Sequence, residues 1–313
     1  VFLIDLFAVE DWKNKGITLC YVFEKKGSAH YLILKKNSLP STNSIAREFP
    51  AACWYEREIT DGFGINFNGA FDTRRLFLHE AYPFDFHPLR KSVINEQVKM
   101  RKNILPAEEY SFKKVNGEGV YQIPVGPVHA GIIEPGHFRF SVIGETIFNL
   151  EIRMFWKHRG IEKLAEGKTP QEAVKFAEAI SGDETVANAL AFCQAVEKIS
   201  QIKVPARAQY LRVLLAEMER IYSLLGDLAG MIIDVAYPAG ASPFFILRED
   251  ILRWNETMTG SRFLKNSLEV GGLKKDINAE DLVKLRNYLK NFSLVFNDSV
   301  KESLSFAPVL DRF

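Results

Sequence analysis

The chain has 313 residues, enough for two domains, and its 47% hydrophobic and 25% charged residues are typical of globular proteins. A formal net charge of +1 gives no electrostatic case for nucleic-acid binding. No apolar run approaches the ~20 residues that span a bilayer. Val1–Val9 has neither the charged leader nor the cleavage site of a signal peptide, and because the chain starts without methionine we expect a fragment of a longer protein.

The three cysteines, Cys20, Cys53 and Cys193, are far apart and form no C-x-x-C pair. This usage fits a reducing compartment and disfavours both a disulfide framework and a zinc or iron–sulfur site within the chain. Each cysteine is expected to be a small buried apolar residue.

The first 95 residues open with a predicted hairpin. Runs of β-branched and aromatic residues at Ile17–Glu24 and His30–Lys35 are separated by Lys-Lys-Gly-Ser, which is typical of two paired strands and a turn. The next stretch, Ser41–Phe49, predicts a helix with Ser41 or Thr42 as its N-cap.

A charged helical turn follows within Ala51–Phe67 and leads through a Gly-x-Gly break into a short predicted strand. Its charged residues are Glu56, Arg57, Glu58 and Asp61. We expect most of these charges to lie in solvent, although their mixture with aromatic residues also suits a protein–protein surface. Two further charged segments, Asp72–Leu78 and His87–Lys91, complete this block.

Turn formers and ionisable residues are combined in the stretch V-Y-Q-I-P-V-G-P-V-H-A-G-I-I-E-P-G-H-F-R-F, from Val120 to Phe140. Its Gly and Pro residues predict a strand, a tight turn and a second strand. His129, Glu134 and His137 lie around the bend. Composition alone leaves two interpretations open, a surface hairpin with incidental histidines or a functional site.

Helical patterns follow this hairpin. The first predicted helix is Glu151–Glu166, and the second begins at Thr169–Glu172, a capping box with proline in the first turn. An alanine-rich run at Glu184–Ile199 predicts a buried helix that Asp183 could cap.

The longest predicted element runs from Pro205 to about Pro238. Its apolar residues alternate spacings of three and four, which predicts a helix with a coiled-coil-like seam inside a bundle. The seam consists of Leu211, Leu214, Met218, Ile221, Leu225, Leu228, Ile232 and Val235. Ser242 and Pro243 predict the start of another helix, and Asn278 predicts the N-cap of the last one.

Three N-terminal motifs, W-Y-E-R-E-I-T-D-G-F-G-I-N-F, R-R-L-F-L and H-P-L-R-K, together resemble the signature of the C-type subunit of respiratory complex I. The resemblance covers nearly all of residues 1–95. It implies that this segment contributes to the contact with a D-type subunit and an iron–sulfur subunit.

Seven motifs beyond residue 120 occur in a fixed order: G-P-V-H-A-G-I-I-E-P-G-H-F-R-F, H-R-G-I-E-K-L, A-E-A-I-S-G-D, P-A-R-A-Q-Y-L-R, E-M-E-R-I, L-G-D-L and L-R-E-D-I-L-R. They resemble the common family of the complex I D-type subunit and the nickel–iron hydrogenase large subunit, most closely its energy-converting, membrane-associated branch. The resemblance implies an α+β chain: an N-terminal α/β domain at 1–95, a linker at 96–119, and a mostly helical bundle at 120–313 with an entrance hairpin.

The chain departs from the hydrogenases at the metal ligands. Enzymes of that family hold nickel and iron between two C-x-x-C pairs, whose soft thiolates suit these metals. At the early position this chain has Ser181–Glu184, and Asn188 and Leu224 stand where related chains are expected to have histidines. Cys193 does not replace the missing ligands, so no metal ligand is predicted.

The resemblance also implies roles for individual residues. The corresponding cavity of complex I receives a quinone headgroup, so His129 is expected to donate a hydrogen bond or a proton to a quinone oxygen. Glu134 stands where the hydrogenase branch has a proton-relay glutamate, and a partly buried cleft would suit it to that work. His137 is expected to orient the turn. Asp227 and Arg248 are weaker candidates for a charge relay, which solvated helix faces explain equally well.

Three hypotheses for function follow. The leading one is a fused C/D-type subunit of a membrane-associated, ion-translocating oxidoreductase complex that has lost its metal ligands. It would be peripheral, on the cytoplasmic side of the membrane, bound to a small iron–sulfur subunit and to antiporter-like and anchor subunits in the membrane. The alternatives are a quinone-reducing subunit of complex I proper, although the hairpin lacks the typical H-P-A-A-H-G, and a non-catalytic structural or assembly subunit.

Overall fold

The computed structural model describes residues 1–11, 16–28, 30–38, 40–93, 101–102, 110–129 and 134–312. The chain divides into two compact units, Val1–Arg159 and Gly160–Phe313. The predicted domain boundaries, with a linker at 96–119, stay a prediction, because compactness does not report where two subunits were joined. Much of that linker also lies outside the described residues.

The first unit begins with an antiparallel sheet in the order β1-β2-β3. Its strands are β1 (Phe2–Glu10), β2 (Ile17–Glu24) and β3 (Tyr31–Ser38), so the predicted hairpin is confirmed. One face of the sheet packs on helix α1 (Ala52–Phe63). The shared core comprises Leu6, Ile17, Leu19 and Tyr21 from the sheet and Ala52, Cys53, Ile59 and Phe63 from the helix.

The helix predicted at Ser41–Phe49 is not formed. Strand β4 (Ser41–Asn43) pairs in parallel with β5 (Asn66–Asn68) instead. After β4 the chain turns, and the Glu56 carboxylate accepts hydrogen bonds from Ser44 Oγ at 2.7 Å and from the next backbone N–H at 2.8 Å. The prediction was wrong because pairing with a distant strand outweighs a local capping signal.

A second antiparallel sheet has the order β6-β7-β8, and its pairing of β6 with β7 confirms the two strands predicted within Val120–Phe140. Its strands are β6 (Tyr121–Val125), β7 (His137–Ile143) and β8 (Thr146–Arg153). The predicted tight turn between β6 and β7 lies partly outside the described residues and stays a prediction. The helix predicted at Glu151–Glu166 is wrong in its first part, because these residues complete β8 and are held extended by pairing with β7. Only α2 (Ile161–Ala165) is helical in that stretch.

The second unit is helical, and the first helix after the short α2 is α3 (Pro170–Ala177). The predicted capping box is confirmed, because Thr169 Oγ1 accepts from the Glu172 N–H at 3.3 Å and Glu172 Oε2 accepts from the Thr169 N–H at 2.9 Å. Two orphan donors at the helix start are thereby satisfied from within the same turn.

Helix α4 (Thr185–Ser200) is capped from a distance rather than by the predicted Asp183. The Glu219 carboxylate accepts from the Val186 N–H at 2.5 Å and from the Ala187 N–H at 2.8 Å. Glu219 is buried, and that burial raises the pKa of its carboxyl. The cap was missed because it comes from a later helix.

The predicted long helix is α5 (Ala206–Asp234), with 29 residues. Its buried stripe consists of Leu211, Leu215, Met218, Tyr222, Leu225, Ala229 and Ile232. Three of the eight predicted seam positions are therefore displaced by one residue, because Leu214, Ile221 and Leu228 are only partly buried. Tyr222 lies in the stripe because its hydroxyl finds a buried acceptor, the Asp183 carbonyl, at 2.8 Å.

Helix α6 (Pro238–Thr259) starts earlier than predicted. The N–H of Ala241 already bonds to the Tyr237 carbonyl at 3.2 Å, so the helix has begun before Ser242 and Pro243. Pro238, in the first turn, has the role that was assigned to Pro243.

A short hairpin, β9 (Leu268–Glu269) and β10 (Gly272–Leu273), separates α6 from α7 (Ala279–Leu304). Asn278 caps α7 as predicted, because its Oδ1 accepts from the Glu280 N–H at 2.9 Å. Helix α8 (Ala307–Arg312) ends the described chain. Strands dominate the N-terminal part and helices the C-terminal part, so the predicted α+β class is confirmed. Among the residues described, no helix combines the length and apolarity that crossing a membrane requires.

Candidate functional site

Three of the four charged residues of helix α1 are buried, so the prediction that most of them are solvated is wrong. Glu56, Arg57 and Asp61 are 2%, 6% and 5% exposed. Asp61 Oδ2 accepts three backbone N–H groups, from Leu76, Phe77 and Leu78, at 2.8–3.1 Å. These charges therefore hold a neighbouring segment in place and do not form a solvated face.

Arg57 fastens the same segment from the other side. Its guanidinium donates to the carbonyls of Arg74 and Arg75 at 2.7 and 3.0 Å and forms an ion pair with Asp72 at 3.3 Å. It also lies over the ring of Trp54, 5.2 Å from the centroid. The buried guanidinium is thus fully engaged with neighbours in its own unit.

The Gly-x-Gly break after α1 admits the H-P-L-R-K segment. A Cβ on Gly64 would lie 2.6 Å from His87 Nε2, and one on Gly62 would lie 2.8 Å from Leu89. Gly64 also has φ +75°, a left-handed conformation that favours glycine at a helix end. The three N-terminal motifs therefore pack on one another as a single structural element.

Two histidines close the mouth of the β6–β7 hairpin by binding carbonyls on opposite strands. His129 Nε2 lies 2.6 Å from the Gly136 carbonyl, and His137 Nδ1 lies 3.1 Å from the Gly126 carbonyl. The structure therefore brings together two of the predicted site residues. The tip of the bend, 130–133, is outside the described residues.

These contacts determine which ring nitrogen of each neutral imidazole carries its proton. A carbonyl only accepts, so His129 must donate from Nε2 and His137 from Nδ1. The remaining nitrogens, Nδ1 of His129 and Nε2 of His137, then accept hydrogen bonds and donate only when the ring is doubly protonated. His129 is consequently a donor toward a further group only as an imidazolium.

Glu134 lies at the outer end of the hairpin and is exposed within this chain. Its side chain is 55% accessible, and it pairs with Lys157 at 3.4 Å. The partly buried cleft expected around Glu134 is not formed by the described residues of this unit alone.

His137 is enclosed by aromatic rings. It is 7% exposed, with its ring centroid 5.1 Å from that of Phe112 and 6.4 Å from that of Trp156. Its Nε2 is buried and has no hydrogen-bond partner among the described residues, and the same holds for Arg139 Nε and Ser141 Oγ two and four residues along β7. A row of unsatisfied polar atoms in one strand is costly and is the kind of feature found at functional sites.

Reciprocal ion pairs fasten this sheet to the N-terminal motifs. Arg74 pairs with Glu151 of β8 at 2.7 Å, and Arg153 of β8 pairs with Glu80 at 2.5 Å. Tyr110 lies between the two guanidiniums, 4.8 and 4.2 Å from its ring centroid. Sequence reasoning missed this clamp, although Arg74 was visible in the R-R-L-F-L motif.

Asp227 and Arg248, the weaker candidates, belong to the second unit. Asp227 is exposed on α5, whereas the Arg248 guanidinium donates to the Tyr222 carbonyl at 3.1 Å. The described contacts do not pair one with the other, and each has an ordinary structural explanation.

The residues at the early metal-ligand position do not fit a nickel–iron centre. Ser181–Glu184 offers no thiol, and the Asp183 carbonyl is taken by the Tyr222 hydroxyl. Cys193 is fully buried in the apolar core, and that burial raises the pKa of its thiol to about 11, so it is not a thiolate near neutrality. The described part of the chain also contains no group of three or more His, Cys, Asp or Glu residues arranged to hold a metal ion.

Comparison with known proteins divides the chain into two matched regions. Residues 1–98 match the family of the respiratory-chain NADH dehydrogenase 30 Kd subunit, and residues 159–225 match the nickel-dependent hydrogenase family.

Individual relatives match almost the whole chain. Formate hydrogenlyase subunit 5 of Escherichia coli is 35% identical, over 90% of this chain and 50% of the relative. Hydrogenase-4 component G of the same organism is 37% identical, over 86% and 48%. The C/D subunit of NADH-quinone oxidoreductase from Phocaeicola vulgatus is 29% identical, over 96% and 63%.

The chain thus spans about half the length of the two Escherichia coli relatives. Because both family matches and the fused C/D relatives agree with the motifs, the predicted resemblance is confirmed. The chain is therefore similar both to fused C/D-type subunits of NADH-quinone oxidoreductases and to the matching subunits of hydrogenase-4 and formate hydrogenlyase.

Proposed function

We propose that the chain is a peripheral-arm subunit of a membrane-associated, ion-translocating oxidoreductase complex, where its hairpin mouth handles protons beside a redox cavity. Relatives that are subunits of NADH-quinone oxidoreductase, hydrogenase-4 and formate hydrogenlyase support the setting. The partners would be a small iron–sulfur subunit, which carries the cluster, and antiporter-like and anchor subunits in the membrane. The chain would lie on the cytoplasmic side.

The observation that carries this proposal is the pair of carbonyl-bound histidines at the mouth of the hairpin. His129 and His137 each donate one ring proton to the opposite strand and keep an accepting nitrogen. His137 Nε2 is buried and finds no partner in the part of the chain that the structure describes, which supports a site that another group completes. Exposed Glu134 would gain its burial from a partner subunit and relay protons toward the membrane arm.

The proton step would use His129 as an imidazolium. Its Nε2 stays bound to the Gly136 carbonyl, while Nδ1 takes up a proton from the protein side and donates it toward the cavity. Bound by that carbonyl, the ring stays oriented in both protonation states. An imidazole that alternates between these two states acts as a general acid and a general base.

We propose that this subunit works without nickel. The donor set supports this, because the early ligand position offers a serine and the Cys193 thiol is buried and neutral. The test is metal analysis of the purified, intact complex. We expect iron from iron–sulfur clusters and nickel far below one per complex, whereas stoichiometric nickel would overturn the proposal.

Reduction of a quinone at the same mouth is the second candidate, favoured by Nδ1 of His129, which can donate to a quinone oxygen when the ring is an imidazolium. A quinone analogue is expected to protect His129 from modification by diethyl pyrocarbonate in the intact complex. Exposed His30, in the N-terminal sheet, is the internal control and should react equally with and without the analogue. Equal modification of His129 in both conditions counts against quinone binding.

A structural role is the third candidate, favoured by the finding that both imidazoles fasten the hairpin. A substitution of Glu134 distinguishes the structural role from proton handling, because its described contact, with Lys157, is exposed and should add little to stability. Glu134→Gln with unchanged ion transport and redox turnover in the intact complex would favour the structural role. Reduced transport with an intact complex would favour proton handling.

A further inference from the structure

Strand β3 exposes four consecutive apolar residues. Tyr31, Leu32, Ile33 and Leu34 are 63%, 57%, 54% and 50% exposed. Single exposed apolar residues are ordinary, but a contiguous exposed run marks an interaction surface or an aggregation hazard. The four side chains alternate between the two faces of the sheet, yet all of them are exposed. The strand is therefore accessible along its edge and not only on one face.

The outer edge of β3 is regular and open. Its pairing with β2 runs without a register shift from Tyr31 opposite Glu24 to Ser38 opposite Ile17. No strand in the described parts of the chain pairs with its other side. Such an edge presents a straight row of backbone N–H and C=O groups to any chain that can pair with it.

The opposite edge of the same sheet is protected. Strand β1 has a register shift between Leu3 and Asp5, and the Tyr55 hydroxyl donates to the Ile4 carbonyl at 3.1 Å. A bulge and a covering side chain are two common ways to prevent strand addition. The sheet therefore blocks one edge and leaves the other available.

Lysines at both ends of the open edge restrict what can pair with it. Lys25 and Lys26 lie in the turn before β3, Lys35 and Lys36 lie in its second half, and all four are exposed. If β3 of a second copy paired antiparallel with this edge, the lysines at each end of one strand would lie opposite the lysines at the facing end of the other strand. Like charges disfavour that arrangement, whereas carboxylates at the two ends of an added strand would be attracted.

We propose that the outer edge of β3 binds an extended segment of a partner polypeptide as a fourth strand. The segment is apolar at its centre, where it meets Tyr31–Leu34, and carries Asp or Glu at both ends, where it meets the lysines. Backbone hydrogen bonds supply affinity and the alternating side chains supply specificity, as in other strand additions. Binding at this edge does not depend on the redox role of the hairpin.

Site-specific photo-crosslinking in the full chain, within its native complex, tests this. Tyr31 is replaced by p-benzoylphenylalanine, and the matched control is the same replacement at Tyr210, which is 78% exposed on α5. We expect position 31 to crosslink one partner segment with an apolar centre and acidic ends. A crosslink to a second copy of this chain, to a segment without acidic ends, or to nothing would overturn the proposal.

The crosslinked segment, made as a synthetic peptide, then serves as the probe for affinity. The variant Lys26→Glu with Lys35→Glu should bind it about tenfold more weakly than the wild type, since two rim ion pairs become repulsions. The control, Lys198→Glu with Lys203→Glu, makes the same charge change in the second unit and should bind normally. If the first variant does not fold, the test uses the wild type alone. Its affinity for the peptide must then fall as the salt concentration is raised, because salt screens the ion pairs. Affinity that responds to neither change contradicts the proposal.

Discussion

Two charged motifs of the first unit look alike in the sequence and differ in the structure. The α1 motif buries Glu56, Arg57 and Asp61 and gives each of them hydrogen-bond partners. The hairpin motif leaves Glu134 exposed, and a buried nitrogen of His137 has no partner within the described ranges.

The difference teaches that charge density does not mark a functional site. A buried charge with all of its hydrogen bonds formed stabilises the fold, because its removal leaves the buried groups around it without partners. An incompletely bonded or outward-facing charge adds little to stability and stays available for protons or partners. We therefore assign the α1 motif to architecture, and we propose that the hairpin mouth takes part in chemistry.

Removing the Asp61 carboxylate should have the largest effect on stability. Asp61→Ala leaves three buried N–H groups without an acceptor, so we expect a loss of about 3–5 kcal/mol in the free energy of unfolding. Urea unfolding of the full chain measures it, with exposed Asp85→Ala as the matched control, which should change stability by less than about 0.5 kcal/mol. A loss for Asp61→Ala as small as that of the control would break the comparison.

The second unit offers a buried pair that extends the comparison. Arg212 binds Glu197 at 2.6 Å, and both are nearly inaccessible. Glu197→Gln removes the charge opposite a buried guanidinium, so we expect a loss of about 3 kcal/mol near pH 7.

That loss should depend on pH in a defined direction. The hydrogen bond from Arg212 lowers the pKa of Glu197 in the folded chain. The pair's contribution is therefore complete above the pKa of an unfolded glutamate and declines as pH falls toward the lower folded value. Urea unfolding from pH 7 to pH 3 should show the wild type and Glu197→Gln converging; a constant difference would contradict the assignment.

Substitution of His137 separates hydrogen bonding from packing at the hairpin mouth. His137→Ala loses the bond to the Gly126 carbonyl and should cost about 1–2 kcal/mol. His137→Asn can keep a donor near the position of Nδ1 and should recover much of that loss. Equal losses in thermal unfolding would mean that ring packing, and not the carbonyl bond, holds the mouth closed.

Glu134→Gln should have the smallest effect on stability. Its contact with Lys157 is long and exposed, so the expected change is below about 0.5 kcal/mol. Ion transport by the intact complex should nevertheless fall. If Glu134→Gln clearly destabilised the fold, Glu134 would be a structural charge like those of α1, and the contrast between the two motifs would be wrong.

Features with local causes could be predicted from the sequence. The Thr169 capping box, the Asn278 cap and the β2–β3 hairpin all depend on residues a few positions apart, and all three are confirmed. The resemblance to the C/D-type family was likewise visible in ordered motifs and is confirmed by the relatives.

Features that depend on residues far apart in the sequence could not be predicted. The Ser41–Phe49 stretch is extended because β5 pairs with it, and α4 is capped by Glu219 from another helix. The burial of Asp61 depends on the backbone of a segment that follows a loop. The bonds between the histidines and the carbonyls needed the closed hairpin, so the sequence predicted which residues meet there and not which ring nitrogens remain as acceptors.

The most direct test of the hairpin's role is the pH–rate profile of His129→Gln in the assembled complex. The glutamine amide can still donate to the Gly136 carbonyl, so the hairpin should stay closed while the titrating group is lost. We expect normal assembly, turnover reduced about a hundredfold, and the loss of one ionisation from the profile. Unchanged turnover with an unchanged profile would contradict proton handling at His129.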